Sequence, residues 1–197
     1  MSLTCKPADL AALLQQGSAA IFPTDTLPAL ACKPEAAELL WELKQRPRHK
    51  PVILMAASAE QLLECLGRPI EAAWQQMTER YWPGALTLVL PARGPWLEQL
   101  NPGGISLGLR LPACQAALEL LALSGPLATT SANRSGEPAC LDHRVAAERF
   151  PQVPQLGPAP WPAPSGQGST VIEWLPGGGW KLLRAGAVMP NELTHDG

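Results

Sequence analysis

The sequence predicts an α/β fold: a single domain built on a twisted sheet of mixed parallel and antiparallel strands, flanked by helices. Three observations carry this expectation. Helical periodicities and short apolar runs alternate along the chain with no break in composition. The 197 residues are 46% hydrophobic and 16% charged, which suffices for one sizeable core and is too apolar for disorder. Several apolar runs stop in clusters of Thr, Ser, Asn and Gly, as strands do where an α/β sheet presents ligand-binding groups at its edge.

The elements follow in order. Leu10, Leu13 and Leu14 fall at helical spacing and Gly17 supplies a stop, so a helix is expected near 7–16. Ala19 to Phe22 is a short apolar strand running into Pro23-Thr24-Asp25-Thr26. Pro34 is a good first-turn residue for a second helix that turns Leu39, Leu40 and Leu43 inward. Val52 to Ala56 reads as a strand. Ser58 followed by Gln61 is a capping box opening a helix to about Leu66. A further helix near 70–82 carries Trp74, Met77 and Tyr81 on one side. Ala85–Leu90 and Ile105–Leu111 read as strands, with the Pro/Gly-rich stretch Pro91–Gly104 as a loop between them. Pro112–Leu123 is expected to be helical, Leu127–Thr129 a strand, and Asp142 the N-cap of a last helix. The proline-rich run 151–168 is extended, either a stiff linker or a lid. Thr170–Trp174 and Lys181–Arg184 complete the strands around the turn Pro176-Gly177-Gly178-Gly179.

Composition excludes several functional classes. Net charge is −2, so no broad basic surface advertises nucleic-acid binding. The five cysteines are scattered, odd in number and form no CxxC pair, which fits reduced thiols in the cytoplasm and not a disulfide framework or zinc site. The three histidines lie far apart, and no metal site is expected. No secretory signal is expected from Met1-Ser2-Leu3-Thr4-Cys5-Lys6-Pro7, and no apolar run is long enough to span a membrane.

Two clusters carry chemistry. Thr129-Thr130-Ser131-Ala132-Asn133-Arg134-Ser135-Gly136 follows an apolar run and offers hydroxyls, an amide and backbone N–H groups to a phosphate or ribose. An ordinary polar turn has the same composition. Lys44-Gln45-Arg46-Pro47-Arg48-His49-Lys50-Pro51 places four fixed positive charges where the second helix ends. That pattern suits either a solvated C-terminal cap or a rigid fork for polyphosphate. Pro23-Thr24-Asp25-Thr26 and Trp82-Pro83-Gly84 are weaker signals, each readable as a turn. Arg110 and Arg184 sit in apolar strands, where a guanidinium must find an anion or an exposed face.

Taken in order, these pieces resemble the YrdC-like domain family in its short threonylcarbamoyl-AMP synthase form, over residues 6–188, with 189–197 as a C-terminal tail. The resemblance rests on Pro23-Thr24-Asp25-Thr26, Lys44-x-Arg46-Pro47-x-x-Lys50-Pro51 and Trp82-Pro83-Gly84-x-Leu86-Thr87. It continues through Arg110-x-Pro112, Thr130-Ser131-Ala132-Asn133-x-Ser135-Gly136, Gly168-Ser169-Thr170-Val171 and Leu183-Arg184-x-Gly186. It implies an enzyme that joins L-threonine, bicarbonate and ATP into threonylcarbamoyl-AMP, releasing pyrophosphate. A separate transferase then uses the product to make N6-threonylcarbamoyladenosine in ANN-decoding tRNAs. Direct tRNA contact is a possibility the resemblance leaves open. By the same resemblance, Lys44, Arg46, Lys50, Thr87, Ser131, Asn133 and Arg184 are expected to bind ATP. Thr26, Arg110 and Thr129 are expected to bind threonine. Mg²⁺ is expected to arrive with ATP, and no tightly bound organic cofactor is expected. No residue is assigned as catalytic. The alternatives are a non-catalytic RNA- or nucleotide-binding paralogue of the same fold, or carbamoyl transfer to another acceptor. The chain departs from the family pattern at Leu27-Pro28-Ala29-Leu30, where an aromatic residue and Gly are usual, and at Ala139, where a Ser is usual.

Overall fold

The computed structural model describes residues 3–193. Among them, ten strands form one mixed sheet: β1 (Thr4–Cys5), β2 (Ala20–Phe22), β3 (Ala29–Cys32), β4 (Ile53–Met55), β5 (Leu86–Pro91), β6 (Ser106–Arg110), β7 (Leu127–Ser131), β8 (Gln155–Leu156), β9 (Thr170–Trp174) and β10 (Trp180–Arg184). Their order across the sheet is β1-β8-β2-β3-β7-β4-β6-β5-β9-β10. Pairs β1/β8, β2/β8, β4/β6 and β5/β9 are parallel; β2/β3, β3/β7, β4/β7, β5/β6 and β9/β10 are antiparallel. The mixed sheet is the one expected from the sequence.

Seven helices cover it: α1 (Pro7–Gln15), α2 (Glu38–Lys44), α3 (Ala59–Glu64), α4 (Ala72–Tyr81), α5 (Pro95–Leu100), α6 (Gln115–Ser124) and α7 (His143–Arg149). The central strands alternate their side chains between two cores. Ala20 and Phe22 of β2 join Leu10, Leu14, Leu120 and Leu121 of α1 and α6. Ile21 of β2, Leu30 of β3 and Leu54 of β4 join the larger cluster with Leu40, Trp41, Leu62 and Trp74. With both faces buried, these strands are apolar throughout instead of alternating.

The sequence-level caps hold. Ser58 Oγ accepts the Gln61 N–H at 3.3 Å, and Gln61 Oε1 in turn accepts the Ala57 N–H at 3.3 Å. Asp142 accepts the N–H groups of Arg144 and Val145. Other elements differ from expectation. β3 was not foreseen, and it is the strand that ties β2 to the sheet centre. The expected loop 91–104 contains α5, begun by Pro95 and closed over Leu97 and Leu100, which are buried. The second helix starts with a 3-10 turn at Pro34–Ala36 and becomes α-helical at Glu38. The proline-rich run donates β8 and then crosses the Thr24–Thr26 turn. There the Ser165 and Gly166 N–H groups reach the carbonyl oxygens of Asp25 (3.1 Å) and Thr26 (3.2 Å). Residues of the expected tail pack back on α4: Tyr81 Oη donates to Glu192 at 2.8 Å and accepts the Asn191 N–H at 3.1 Å. Residues 194–197 of that tail lie outside the described residues.

Candidate active site

A cleft of about 180 Å³ opens at one end of the central strands. Its walls include Thr26 to Ala29 from the β2–β3 turn, Arg46 and Pro51 to Ile53 from the basic loop, and Met55 from β4. Thr87 of β5, Arg110 of β6, Thr129 to Ser131 of β7, Gly168, Ser169 and Val171 around β9, and Arg184 of β10 complete them. Seven of the ten residues singled out from the sequence thus face one space: Thr26, Arg46, Thr87, Arg110, Thr129, Ser131 and Arg184. Lys44, Lys50 and Asn133 do not line it.

Local structure explains each placement. α2 ends because Gln45 adopts a left-handed conformation (φ 51°), letting the Arg46 N–H reach back to the Trp41 carbonyl at 2.9 Å. The reversal sends Arg46 into the cleft, where its guanidinium is steadied on the carbonyls of Lys50 (3.3 Å) and Pro51 (3.1 Å). Trp41 Nε1 also donates to the Lys50 carbonyl at 2.9 Å, so the basic loop is fixed by its backbone. The Lys50 residue itself is exposed.

Lys44 is only 1% exposed, and its ammonium points away from solvent into the Ser131–Asn133 loop. Nζ donates to the carbonyl of Ser131 at 2.6 Å, to the carbonyl of Asn133, and to Asn133 Oδ1 at 3.2 Å. Ser131 Oγ donates to the same Asn133 Oδ1 at 2.6 Å, and the Ser135 N–H returns to the Lys44 carbonyl at 2.9 Å. Lys44 is therefore a strut between the basic loop and the Ser-Asn loop. Burial and the nearby Arg46 bring its pKa down to about 8, against a smaller opposing effect of Cys140.

On the far wall, Arg184 donates to the Ser169 carbonyl (2.7 Å) and Ser169 Oγ (3.2 Å), and Ser169 Oγ lies 2.7 Å from Thr87 Oγ1. Gly186 permits this approach: a Cβ there would lie 2.3 Å from the Gly168 carbonyl. Ser169 was not among the residues singled out as ligands, although it stands within a quoted motif. Its role becomes visible only when β9 is set beside β5.

Arg110 found the anion that its apolar strand required. Its Nη2 donates to Asp25 Oδ1 at 2.7 Å, Nη1 to Thr26 Oγ1 at 2.6 Å, and Nε to the Gly84 carbonyl at 3.1 Å. Thr24 Oγ1 shapes the turn that brings Asp25 and Thr26 there, accepting the Thr26 and Leu27 N–H groups. Burial lowers the pKa of Arg46, Arg110 and Arg184; Arg184 adds to this at Arg46 and Arg110, while Asp25 opposes it at Arg110. The cleft thus concentrates positive charge and can gather an anionic ligand. Among the described residues no cluster of His, Cys, Asp or Glu could hold a metal ion, and no helix is long and apolar enough to cross a membrane.

Fold and cleft together define an α/β protein with an arginine-lined cleft at the ends of its central strands. The Sua5/YciO/YrdC family model, described as "Telomere recombination", matches residues 12–186, and the chain belongs to this family. The threonylcarbamoyl-AMP synthase of Pyrococcus abyssi is 35% identical over 192 residues, 93% of this chain and 54% of that protein. The Neisseria meningitidis protein of that name is 36% identical over 146 residues, 72% of this chain and 77% of its relative. The crystal structure of P. abyssi Sua5 complexed with L-threonine superposes with a TM-score of 0.83 at 33% identity, covering 91% of this chain and 54% of that one. Escherichia coli YciO shares the fold at a TM-score of 0.81 and 21% identity, covering 95% of this chain and 92% of that one. The chain spans about half the length of the P. abyssi relative.

Proposed function

We propose that the chain is an L-threonylcarbamoyladenylate synthase, making threonylcarbamoyl-AMP and pyrophosphate from L-threonine, bicarbonate and ATP. One observation carries this reading: a single cleft has a charge-compensated end at Arg110 and an uncompensated cationic end at Arg46 and Arg184. The first suits the carboxylate of an amino acid and the second suits a polyphosphate. The P. abyssi relative crystallised with L-threonine supports the amino-acid end.

In this reaction the threonine amine adds to the carbon of bicarbonate-derived CO₂ and loses a proton, giving a carbamate. A carbamate oxygen then attacks the α-phosphorus of ATP in line, and the bond to pyrophosphate breaks. Such phosphoryl chemistry depends on positioning and on stabilising charge at the reacting centre. In the proposed arrangement Arg110 and Thr26 hold the threonine carboxylate and the Thr129 backbone its other side. Arg46 and Arg184 hold phosphate oxygens, Thr87 contacts ATP, and Ser131 forms the phosphate and ribose wall, with Asn133 behind it accepting the Ser131 hydroxyl. Lys44 braces that wall from behind, and Lys50 reaches the phosphates from the rim. Mg²⁺ would enter on the phosphates of ATP, because the walls carry hydroxyls and no carboxylate set of their own. The product would pass, in the cytoplasm, to a transferase acting on ANN-decoding tRNAs, with or without direct contact between this chain and the tRNA.

The test is direct. Incubating the protein with Mg-ATP, bicarbonate and radiolabelled threonine should yield labelled adenylate and pyrophosphate in equal amounts. Folded protein that binds ATP without turning it over would instead identify a nucleotide-binding relative without this activity. Turnover stimulated by an amino acid other than threonine would reassign the substrate.

A further inference from the structure

We propose that Asp25, which no wall of the cleft includes, is a positioning residue that fixes the plane and balances the charge of Arg110 for recognition of a carboxylate ligand. The inference rests on the functional reading above for the identity of that ligand. A guanidinium has five N–H donors in a rigid fork. In Arg110 one donor on each nitrogen is taken by protein: Gly84 carbonyl, Thr26 Oγ1 and Asp25 Oδ1. Two donors are left, one on each terminal nitrogen, which is the number a carboxylate accepts.

Asp25 is in turn held where it must be. Its Oδ1 also accepts the Ala113 N–H at 3.0 Å, and its carbonyl accepts the Ser165 N–H at 3.1 Å. The residue is thus pinned at two points, its carboxylate by the segment leading into α6 and its backbone by the proline-rich strap. The two side chains are 4% and 18% exposed, so the pair is shielded from solvent. A buried guanidinium without a counter-ion is strongly unfavourable, and one free to rotate offers no fixed fork. Arg46 and Arg184, by contrast, have no carboxylate within 4.0 Å among the described residues. Asp25 therefore makes Arg110 a neutral pair able to bind a monoanion, and leaves the polyanion to the other two.

The experiment is a double-mutant cycle on threonine and ATP kinetics, joined to a spectroscopic readout. Asp25→Ala should raise the threonine KM at least tenfold and leave the ATP KM within twofold. Asp25→Asn, which keeps an acceptor but no charge, should fall between it and the wild type. In an Arg110→Met background, Asp25→Ala should change the threonine KM less than twofold, because its effect runs through the missing guanidinium. An equal effect with and without Arg110, or an unchanged threonine KM, would overturn the proposal. Independently of turnover, ¹⁵N-labelled wild type should show a slowly exchanging Arg110 Nε–H resonance that Asp25→Asn broadens or shifts. Persistence of that signal unchanged in Asp25→Asn would overturn the positioning role. An inactive wild type with the resonance behaving as expected would sink the enzymatic reading alone.

Discussion

Arg46 and Lys44 are two residues apart in sequence, yet they do different work. Arg46 faces the cleft and is steadied only on backbone carbonyls, so Arg46→Ala should lower kcat/KM for ATP by roughly a hundredfold, the scale of losing one charge-stabilising donor. The thermal transition should stay close to that of the wild type; a collapsed transition would mark Arg46 as structural. Lys44 is the structural member of the pair, and its behaviour should be visible in pH. Its pKa is lowered to about 8, so the ammonium is present below that pH and is lost as pH rises through it. A neutral amine has one donor fewer for the three oxygens of Ser131 and Asn133. Activity should therefore decline above about pH 8, and Lys44→Arg, which keeps its charge, should move or abolish that limb. A pH profile identical in wild type and Lys44→Arg would remove Lys44 as its origin.

Gly108 of β6 lies between β4 and β5, and a Cβ there would sit 2.8 Å from Ile53 Cγ2. That methyl group belongs to a β-branched side chain on a central strand and cannot swing aside. Gly108→Ala should cost about 1–3 kcal/mol as overpacking, and adding Ile53→Ala should return part of it, as read from urea midpoints. The elements also show which parts of the fold were legible in the sequence. Caps such as Asp142 and Ser58, and helical periodicity in α1 and α4, are local signals that survive folding unchanged. β3 was not legible: Ala29-Leu30-Ala31-Cys32 is buried on both faces, has no alternation and follows a turn. α5 was hidden by its flanking Pro and Gly, which serve there as helix start and entry. In the site, Arg110 announced its need for an anion, but only the pairing of the β2–β3 turn with the end of β6 supplies Asp25. The resemblance sets Lys44 among the ATP ligands, and nothing in the sequence reveals that Gln45 turns left-handed and divides the basic cluster.

At the scale of the molecule, the sheet is continuous and its central strands are packed on both faces, so the domain has no internal boundary at which to come apart. Chemical unfolding should show one transition, with far-UV and near-UV circular dichroism coinciding. Separated transitions would reveal a subdomain with its own stability. The strand order carries a further consequence for how the protein is made. β7 sits at the centre of the sheet but follows β3 and β4 by a long stretch of chain, and β5 waits for β9. Such distant pairings are slow to form. On a translating ribosome, β3 and β4 emerge with their shared partner still unsynthesised, and Arg46 and Arg110 emerge before Arg184 exists. Until β9 arrives, one edge of β5 has no partner and offers a template to any passing strand. The cleft is therefore assembled late in synthesis, and a chain stalled before residue 170 would hold a core, two of the three arginines and an open sheet edge that invites association.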